Sequence, residues 1–172
     1  MKKQRAKPVN ITEFNALSDD AKKNLLMKIC FCENWADAII DDAPFTNREQ
    51  LSQAISTHWY AIDESDLMQA ISAHPRIGDI KVLKDKFAKQ ANKEQGQVVD
   101  ADEDVLGDLL LFNDKYYERF GFIFIICASG KSAQFMLDEL KNRLGNSREE
   151  EMKNAAAEQE KISQLRLQQY IT

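Results

Sequence analysis

A histidine at the end of a predicted helix is the residue in this sequence best suited to acid–base chemistry. Leu67, Ala70 and Ile71 recur at helical spacing, and His74 follows on the same face. Pro75 then ends the helix, because the residue before a proline is disfavoured in the α region. The negative end of the helix dipole favours a protonated imidazole. His74 therefore suits proton transfer or anion binding, and the structural alternative is a partly buried histidine bonded to a local carbonyl group.

Two further places carry polar side chains that suit ligand binding. Glu94 and Gln95 stand before Gly96, where they fit an ordinary helix end equally well. Arg166 stands four residues after Ile162 on the predicted closing helix. An arginine there commonly extends to solvent or pairs with a surface acid. The alternative is a guanidinium offered to an anionic or carbonyl-rich ligand, and the residues alone leave both open.

Composition limits the classes of protein to consider. The chain has 172 residues, of which 44% are hydrophobic, so we expect one compact domain over residues 1–172, with 1–9 flexible. The net charge of -5 argues against a nucleic-acid or anionic-membrane partner. The longest apolar run, 122–128, is too short to span a bilayer, and no signal-peptide pattern follows the basic start. We therefore expect a cytoplasmic protein.

Periodicity and capping residues predict an all-α fold of about eight helices. The predicted helix starts are Asn10 with Glu13, Ser18, Asn34, Thr46 with Glu49, Asp63 or Ser65, Asp100 with Glu103, Ser132, and Ser147 with Glu150. His58 falls on the packed side of the helix that Thr46 opens. A structural role is favoured for it, because no cysteine or carboxylate stands at metal-ligand spacing beside it.

The apolar run from Phe122 to Ala128 has an ambiguous pattern. It fits a buried strand as well as a buried helix turn, but no second strand is available to pair with it. An extended buried segment leaves backbone N–H groups unpaired, at about 1 to 3 kcal/mol each. A ligand can satisfy such groups. We therefore predict a short extended buried segment at about 122–128.

No motif in the sequence indicates a cofactor or a metal. The three cysteines, Cys30, Cys32 and Cys127, form no disulfide framework, and Cys30-x-Cys32 lacks the second ligand pair of a zinc site. Reduced, mostly buried thiols are expected. A phosphate-binding glycine loop is also missing from the sequence.

Several stretches, in order along most of the chain, resemble the 2-oxo-4-hydroxy-4-carboxy-5-ureidoimidazoline (OHCU) decarboxylase family, in its bacterial form. They are residues 32–36 with Pro44-Phe45, His74-Pro75-Arg76-Ile77-Gly78-Asp79, Glu94-Gln95, residues 113–116 with 119–128, Asn142-Arg143-Leu144 with Asn146 and Glu150, and residues 162–167. The chain departs from the family at Ala91, where the family often has serine. The combined match outweighs the structural alternative at His74.

The resemblance implies cofactor-independent decarboxylation of OHCU to (S)-allantoin and CO2, the last step of urate degradation. It implies catalytic roles for His74 and Glu94, an all-helical fold and a homodimer. The substrate contacts that it implies are Pro75, Gln95, the backbone of Phe124, Ile125, Ile126, Cys127 and Ala128, and the side chain of Arg166. One alternative is a non-catalytic ligand-binding module on the same scaffold, and a second is a helical enzyme that acts on a related ureido compound, which only a panel of substrates would exclude. The joint presence of an acid, an amide and two basic side chains at the family's positions argues against the binding module.

The implied reaction is chemically consistent with a protein that has no cofactor. Loss of CO2 leaves an electron pair, and the imidazolinone ring of the substrate can delocalise it. The protein must supply orientation, donors aimed at the developing oxyanion and a proton delivered to one face of the carbon. His74 would contact the carboxylate, while Glu94 would either orient His74 or carry the proton. The sequence leaves these two roles of Glu94 open.

Overall fold

The computed structural model of the chain describes residues 8–74 and 103–172, which fall into two compact units. Unit 1 consists of the chain up to Ala73 together with Ala156–Thr172, and unit 2 consists of His74–Ala155. The described residues form eight α-helices and no β-strand, which confirms the all-α prediction. None of these helices is both long enough and apolar enough to cross a membrane.

Unit 1 is built from five short helices and the last turns of the closing helix. The five are α1 (Ile11–Ala16), α2 (Asp19–Ile29), α3 (Glu33–Asp41), α4 (Arg48–Trp59) and α5 (Glu64–Ser72). The predicted caps at Asn10, Ser18 and Asp63 are confirmed, because each side chain accepts a hydrogen bond from the first turn of its helix. These caps satisfy N–H groups that the helix itself leaves without partners.

The predicted capping box at the start of α4 is wrong by one residue. Asn47 caps the helix, and its side-chain oxygen accepts from the backbone N–H of Gln50 at 2.8 Å. The Gln50 side chain reaches back to the backbone N–H of Thr46 at 2.7 Å. The sequence contains two overlapping capping-box patterns, Thr46 with Glu49 and Asn47 with Gln50. Asn47 takes the cap position, in agreement with the stronger capping preference of asparagine, and the Gln50 side chain bonds to Thr46 instead of to the cap residue.

Two tryptophans anchor the core of unit 1. Trp35 and Trp59 are 1% and 2% exposed. The indole N–H of Trp35 donates to the carbonyl of Ile55 at 3.1 Å, and that of Trp59 donates to the carbonyl of Ala156 at 2.8 Å. Each large ring is therefore buried with its polar group satisfied. The second bond ties α4 to the closing helix within this unit.

The two ends of the chain meet in unit 1. The backbone N–H of Val9 donates to the carbonyl of Tyr170, and the N–H of Thr172 donates to the carbonyl of Val9, both at 2.9 Å. These bonds form an isolated β-bridge between Val9 and Ile171, which holds Val9 beside the end of the closing helix. Residues 1–7 of the stretch predicted to be flexible lie outside the described residues.

Unit 2 contains α6 (Glu103–Phe120), α7 (Ala133–Arg143) and the first turns of α8 (Arg148–Tyr170). Helices α6 and α7 pack against each other. Gly121 ends α6 as predicted, with a φ of 79° that favours glycine. Ser132 caps α7, and Ser147 with Glu150 forms the capping box of α8, so both predicted caps are confirmed.

The buried face of α8 differs from the predicted one. The sequence pattern predicts a stripe of Met152, Ala155, Ala156, Gln159, Ile162 and Leu165. The fully buried positions are instead spaced by four residues: Glu151, Ala155, Gln159, Ser163 and Leu167. Three of these five side chains are polar, so a search for apolar periodicity alone misplaces the face. Leu165 is 36% exposed.

Candidate active site

His74 follows the end of α5, as the sequence predicts from the proline that comes next. The last helical residue is Ser72, and Ala73 is the C-terminal cap. The His74 side chain is half-buried. Pro75, Ala91 and the Glu94-Gln95 pair lie outside the described residues. Of the predicted site, the structure therefore describes His74, the backbone of 124–128 and Arg166.

The segment between α6 and α7 is largely buried and is not helical, as the sequence predicts for about 122–128. It contains no helical or strand residue from 123 to 128. Phe124 is 7% exposed, Ile125 is 3% exposed, and Ile126 is half-buried. The backbone N–H groups of these three residues donate no hydrogen bond to another residue of 8–74 or 103–172. They are therefore suited to donate to a bound ligand.

An aromatic cluster fixes the start of this segment against α6. The ring of Tyr116 lies 4.6 Å from that of Phe120, measured between centroids. It meets the rings of Phe122 and Phe124 edge to face, at 5.8 and 5.4 Å. These are favourable geometries for aromatic pairs, beyond the area that they bury. The segment is consequently held by side-chain packing, since it has no partner strand among the described residues.

A buried arginine at the end of α7 binds the same segment through its backbone. Arg143 is 7% exposed, and its Nη1 donates to the carbonyl oxygen of Ile125 at 2.9 Å. Its Nε donates to Oε2 of Glu151 at 2.8 Å, and its Nη2 lies at the same distance from that oxygen. The guanidinium also lies over the Phe124 ring, 4.6 Å from its centroid.

Glu151 completes this cluster from the first turn of α8 and is fully buried. Its Oε2 accepts from the Tyr116 hydroxyl at 2.5 Å as well as from Arg143. Its Oε1 accepts from the side-chain amides of Asn146 and Asn154, at 2.7 and 2.8 Å. These donors offset the cost of burying the carboxylate.

The protonation states of the cluster follow from these contacts. Burial acts to raise the pKa of Glu151, but its hydrogen bonds and the charge of Arg143 outweigh burial, and the pKa lies below its ordinary value. Burial and the bond to Glu151 raise the pKa of Tyr116, so the phenol stays a donor. The cluster therefore contains one buried cation and one buried anion at neutral pH.

The sequence interpretation did not identify the roles of Arg143, Glu151 and Tyr116. Arg143 and Tyr116 belong to stretches that resemble the family, but the resemblance assigns them no role, and it does not include Glu151. One signal was available: Glu151 is four residues before Ala155 on a helix whose apolar periodicity is poor. A buried helix face that includes a polar residue such as Glu151 would explain the poor apolar periodicity.

Arg166 lies in unit 1, on α8, and is half-buried. Its Nη1 donates to the backbone carbonyl of Ile29 at 3.0 Å. That bond uses one of the five N–H donors of the guanidinium. Neighbouring Cys30 is fully buried, and burial raises the pKa of its thiol to about 12, so it stays protonated. Cys30, Cys32 and Cys127 are all free thiols, as expected.

The second histidine has a partner that the sequence interpretation did not predict. His58 Nε2 lies 2.6 Å from Oδ2 of Asp42, and the two side chains are 25% and 51% exposed. This surface pair agrees with a structural role for His58. Among residues 8–74 and 103–172, no group of three or more histidine, cysteine, aspartate and glutamate side chains is placed to share a metal ion.

Comparisons with known proteins agree with the sequence resemblance. Residues 15–168 match the family model described as OHCU decarboxylase. The uric acid degradation bifunctional protein TTL of Arabidopsis thaliana is 34% identical over 141 residues, covering 80% of this chain and 44% of that protein. The 2-oxo-4-hydroxy-4-carboxy-5-ureidoimidazoline decarboxylase of Amia calva is 31% identical over 144 residues, covering 81% of each chain. This chain thus spans less than half the length of the plant relative.

A solved structure is similar over nearly its whole length. It is the crystal structure of an OHCU decarboxylase in the presence of (S)-allantoin, with a TM-score of 0.68 and 30% sequence identity. The alignment covers 88% of this chain and 96% of that one. The family match over residues 15–168 and this structural likeness lead to one conclusion: the chain belongs to the OHCU decarboxylase family.

Proposed function

We propose that this protein decarboxylates OHCU to (S)-allantoin and CO2 without a cofactor. The observation that carries the proposal is the family match over residues 15–168. The largely buried segment at 122–128 gives it local support, because its amides suit the ring and ureido oxygens of this substrate. A related structure was obtained in the presence of (S)-allantoin, which is the product of the proposed reaction.

His74 is the proposed catalytic residue in direct contact with the substrate carboxylate. When the bond to CO2 breaks, its electron pair is delocalised into the imidazolinone ring and onto the ring carbonyl oxygen. The enzyme lowers the barrier by holding the carboxylate out of the ring plane and by placing donors at the oxygen where charge develops. The delocalised anion takes up a proton to give an enol. The enol hydroxyl then loses its proton to become a ring carbonyl, while a proton reaches one face of the ring carbon that bears the ureido group, which sets the S configuration.

The amides of Phe124, Ile125 and Ile126 are the proposed donors to the substrate oxygens. Backbone N–H groups on a packed segment are fixed before the reaction, so they need no reorganisation as charge develops. The backbone of Cys127 and Ala128 is proposed to continue the same binding surface. Arg143 and the aromatic cluster around Tyr116 hold the segment in place.

The remaining residues keep the roles that the family resemblance implies. Glu94 is proposed to orient His74 or to carry the proton, while Pro75 and Gln95 are proposed to contact the substrate. Arg166 is proposed to bind a carbonyl or carboxylate oxygen. Its bond to Ile29 leaves further N–H groups on the same guanidinium for that purpose.

The test is circular dichroism of allantoin formed from freshly generated OHCU. Wild type is compared with His74→Ala, with His58→Ala and with no protein. We expect rapid formation of one enantiomer by wild type and by His58→Ala, since His58 pairs with Asp42 at the surface. His74→Ala should be slower by about 10² to 10⁴, the usual contribution of a positioned acid–base group.

Each result of this comparison has a distinct meaning. If wild type matches the blank, the decarboxylase proposal fails, and binding of (S)-allantoin without turnover would favour the ligand-binding module. If both histidine variants are equally active, the reaction stands but His74 loses its role. In that case Glu94→Gln is the next variant to measure.

We also propose that the protein is a homodimer and that it lies in the cytoplasm. The family resemblance supports a homodimer, and the sequence composition supports the cytoplasm. Light scattering coupled to size-exclusion chromatography measures the mass of the particle, and fractionation of the source cells locates the protein. A monomer at micromolar concentration would contradict the first proposal.

A further inference from the structure

We propose that Arg143 is a positioning residue that orients and strengthens the backbone N–H of Ile126 as a donor to the substrate. This inference rests on the proposed decarboxylase function. It adds a residue that touches no substrate itself and acts through the peptide group between Ile125 and Ile126.

The peptide group between Ile125 and Ile126 links the contact with Arg143 to the direction of the Ile126 N–H. The carbonyl of Ile125 and the N–H of Ile126 belong to the same planar unit, which is trans. In a trans peptide these two groups point in opposite directions. Arg143 Nη1 binds the carbonyl oxygen at 2.9 Å, so the N–H of Ile126 points away from the guanidinium. That N–H donates to no other described residue, and Ile126 is half-buried.

The guanidinium is itself held in a single orientation. Two of its nitrogens, Nε and Nη2, lie 2.8 Å from Oε2 of Glu151, and the guanidinium lies over the ring of Phe124. The planar fork of arginine contacts the carboxylate and the carbonyl at the same time, whereas the ammonium of lysine is a point charge without this fixed fork. The Ile125 carbonyl is therefore tied to two helices, α7 through Arg143 and α8 through Glu151.

The charge of Arg143 also strengthens the donor. A cationic partner on the carbonyl oxygen polarises the peptide group, and hydrogen bonds in a chain reinforce one another by roughly 10 to 30% each. A stronger and fixed N–H stabilises an oxyanion better than a flexible one. Stability alone is a weak reason for this buried pair, because well-packed apolar residues often replace such pairs without loss.

The experiment compares Arg143→Lys with Asn154→Ala. Arg143→Lys keeps the positive charge near Glu151 but loses the fork that also reaches Ile125. Asn154→Ala is the matched control, since it removes a different donor from the same carboxylate and leaves the contact between Arg143 and Ile125 in place. We expect kcat/KM to fall by about tenfold or more in Arg143→Lys, mostly through kcat, because an oxyanion donor acts chiefly in the transition state. Asn154→Ala should stay within about twofold of wild type, because Glu151 keeps its bonds to Arg143, Tyr116 and Asn146 and the donor to the transition state is unchanged.

A second readout does not depend on activity. The amide ¹⁵N resonance of Ile126 in the free protein reports the polarisation of its peptide group. In Arg143→Lys it should move further than the resonances of the neighbouring amides, and in Asn154→Ala it should not. Thermal unfolding of all three proteins shows that each is folded at the assay temperature.

The outcomes separate this inference from the proposed function. If wild type forms no allantoin, the proposed function fails, and the position of the Ile126 resonance still decides whether Arg143 controls that peptide group. An unmoved resonance in Arg143→Lys overturns the inference. Losses of kcat/KM that simply follow the loss of stability in both variants overturn it as well, because Arg143 would then be only a structural anchor.

Discussion

Replacing Arg143 by methionine should destabilise the protein by several kcal/mol. The change removes the cation from a buried pair in which Arg143 is 7% exposed and Glu151 is fully buried. Breaking such a pair by removing one partner costs about 3 to 5 kcal/mol, since the remaining charge stays buried. The carbonyl of Ile125 also loses its donor. Small domains are stable by only about 5 to 15 kcal/mol, so the loss is readily measured.

The assay is urea unfolding followed by far-ultraviolet circular dichroism at pH 7.5. A second variant, Arg143→Met with Glu151→Gln, removes the stranded charge and keeps an oxygen that accepts from the Tyr116 hydroxyl. Its new NH2 group takes the place of Oε1, where the side-chain amides of Asn146 and Asn154 can turn their own oxygens to accept from it. This double variant should recover about 1 to 3 kcal/mol, the desolvation penalty of an unsatisfied polar group. A single variant within 1 kcal/mol of wild type would refute the reasoning. So would a double variant less stable than the single one.

The pH dependence of the same variants provides a sign test. In wild type the folded-state pKa of Glu151 lies below its ordinary value of 4.5, so its stabilising contribution is present above that value. That contribution is lost as the pH falls from 4.5 through the folded-state pKa. Without Arg143, burial should raise the folded-state pKa of Glu151 above 4.5, and the variant then loses stability as the pH rises from 4.5 through that raised pKa. The stability gap between wild type and Arg143→Met should therefore narrow from pH 7.5 to pH 5.

Two further predictions test local features of unit 1. Asn47→Ala should destabilise the protein by about 1 kcal/mol through loss of the α4 cap, measured by thermal unfolding, while Thr46→Ala should change stability less. Burial raises the pKa of the Cys30 and Cys32 thiols to about 12 and about 11. Both should therefore resist iodoacetamide at pH 8 in the folded protein and react in urea, as read by mass spectrometry. Equal losses at Asn47 and Thr46, or rapid labelling of Cys30, would contradict these two readings.

Local chemistry in the sequence was enough to predict the helices and the position of His74. Caps such as Asn10 and Ser132 act within three residues, so their partners are visible in the sequence. Gly121 and the proline after His74 act on their own backbone or on that of the adjacent residue. The non-helical segment at 122–128 could be predicted by elimination, because no second strand was available to pair with it.

The tertiary structure alone decided how that segment is held. Tyr116, Ile125, Arg143 and Glu151 come from three helices and a loop, and no local spacing brings them together. The sequence contains two overlapping capping-box patterns at the start of α4, and the folded helix uses Asn47 as its cap. The face of α8 was misplaced because its buried positions include Glu151 and Gln159. Local periodicity records which residues are apolar, whereas a buried polar residue is recognised only once its distant partners are known, because those partners are what make its burial possible.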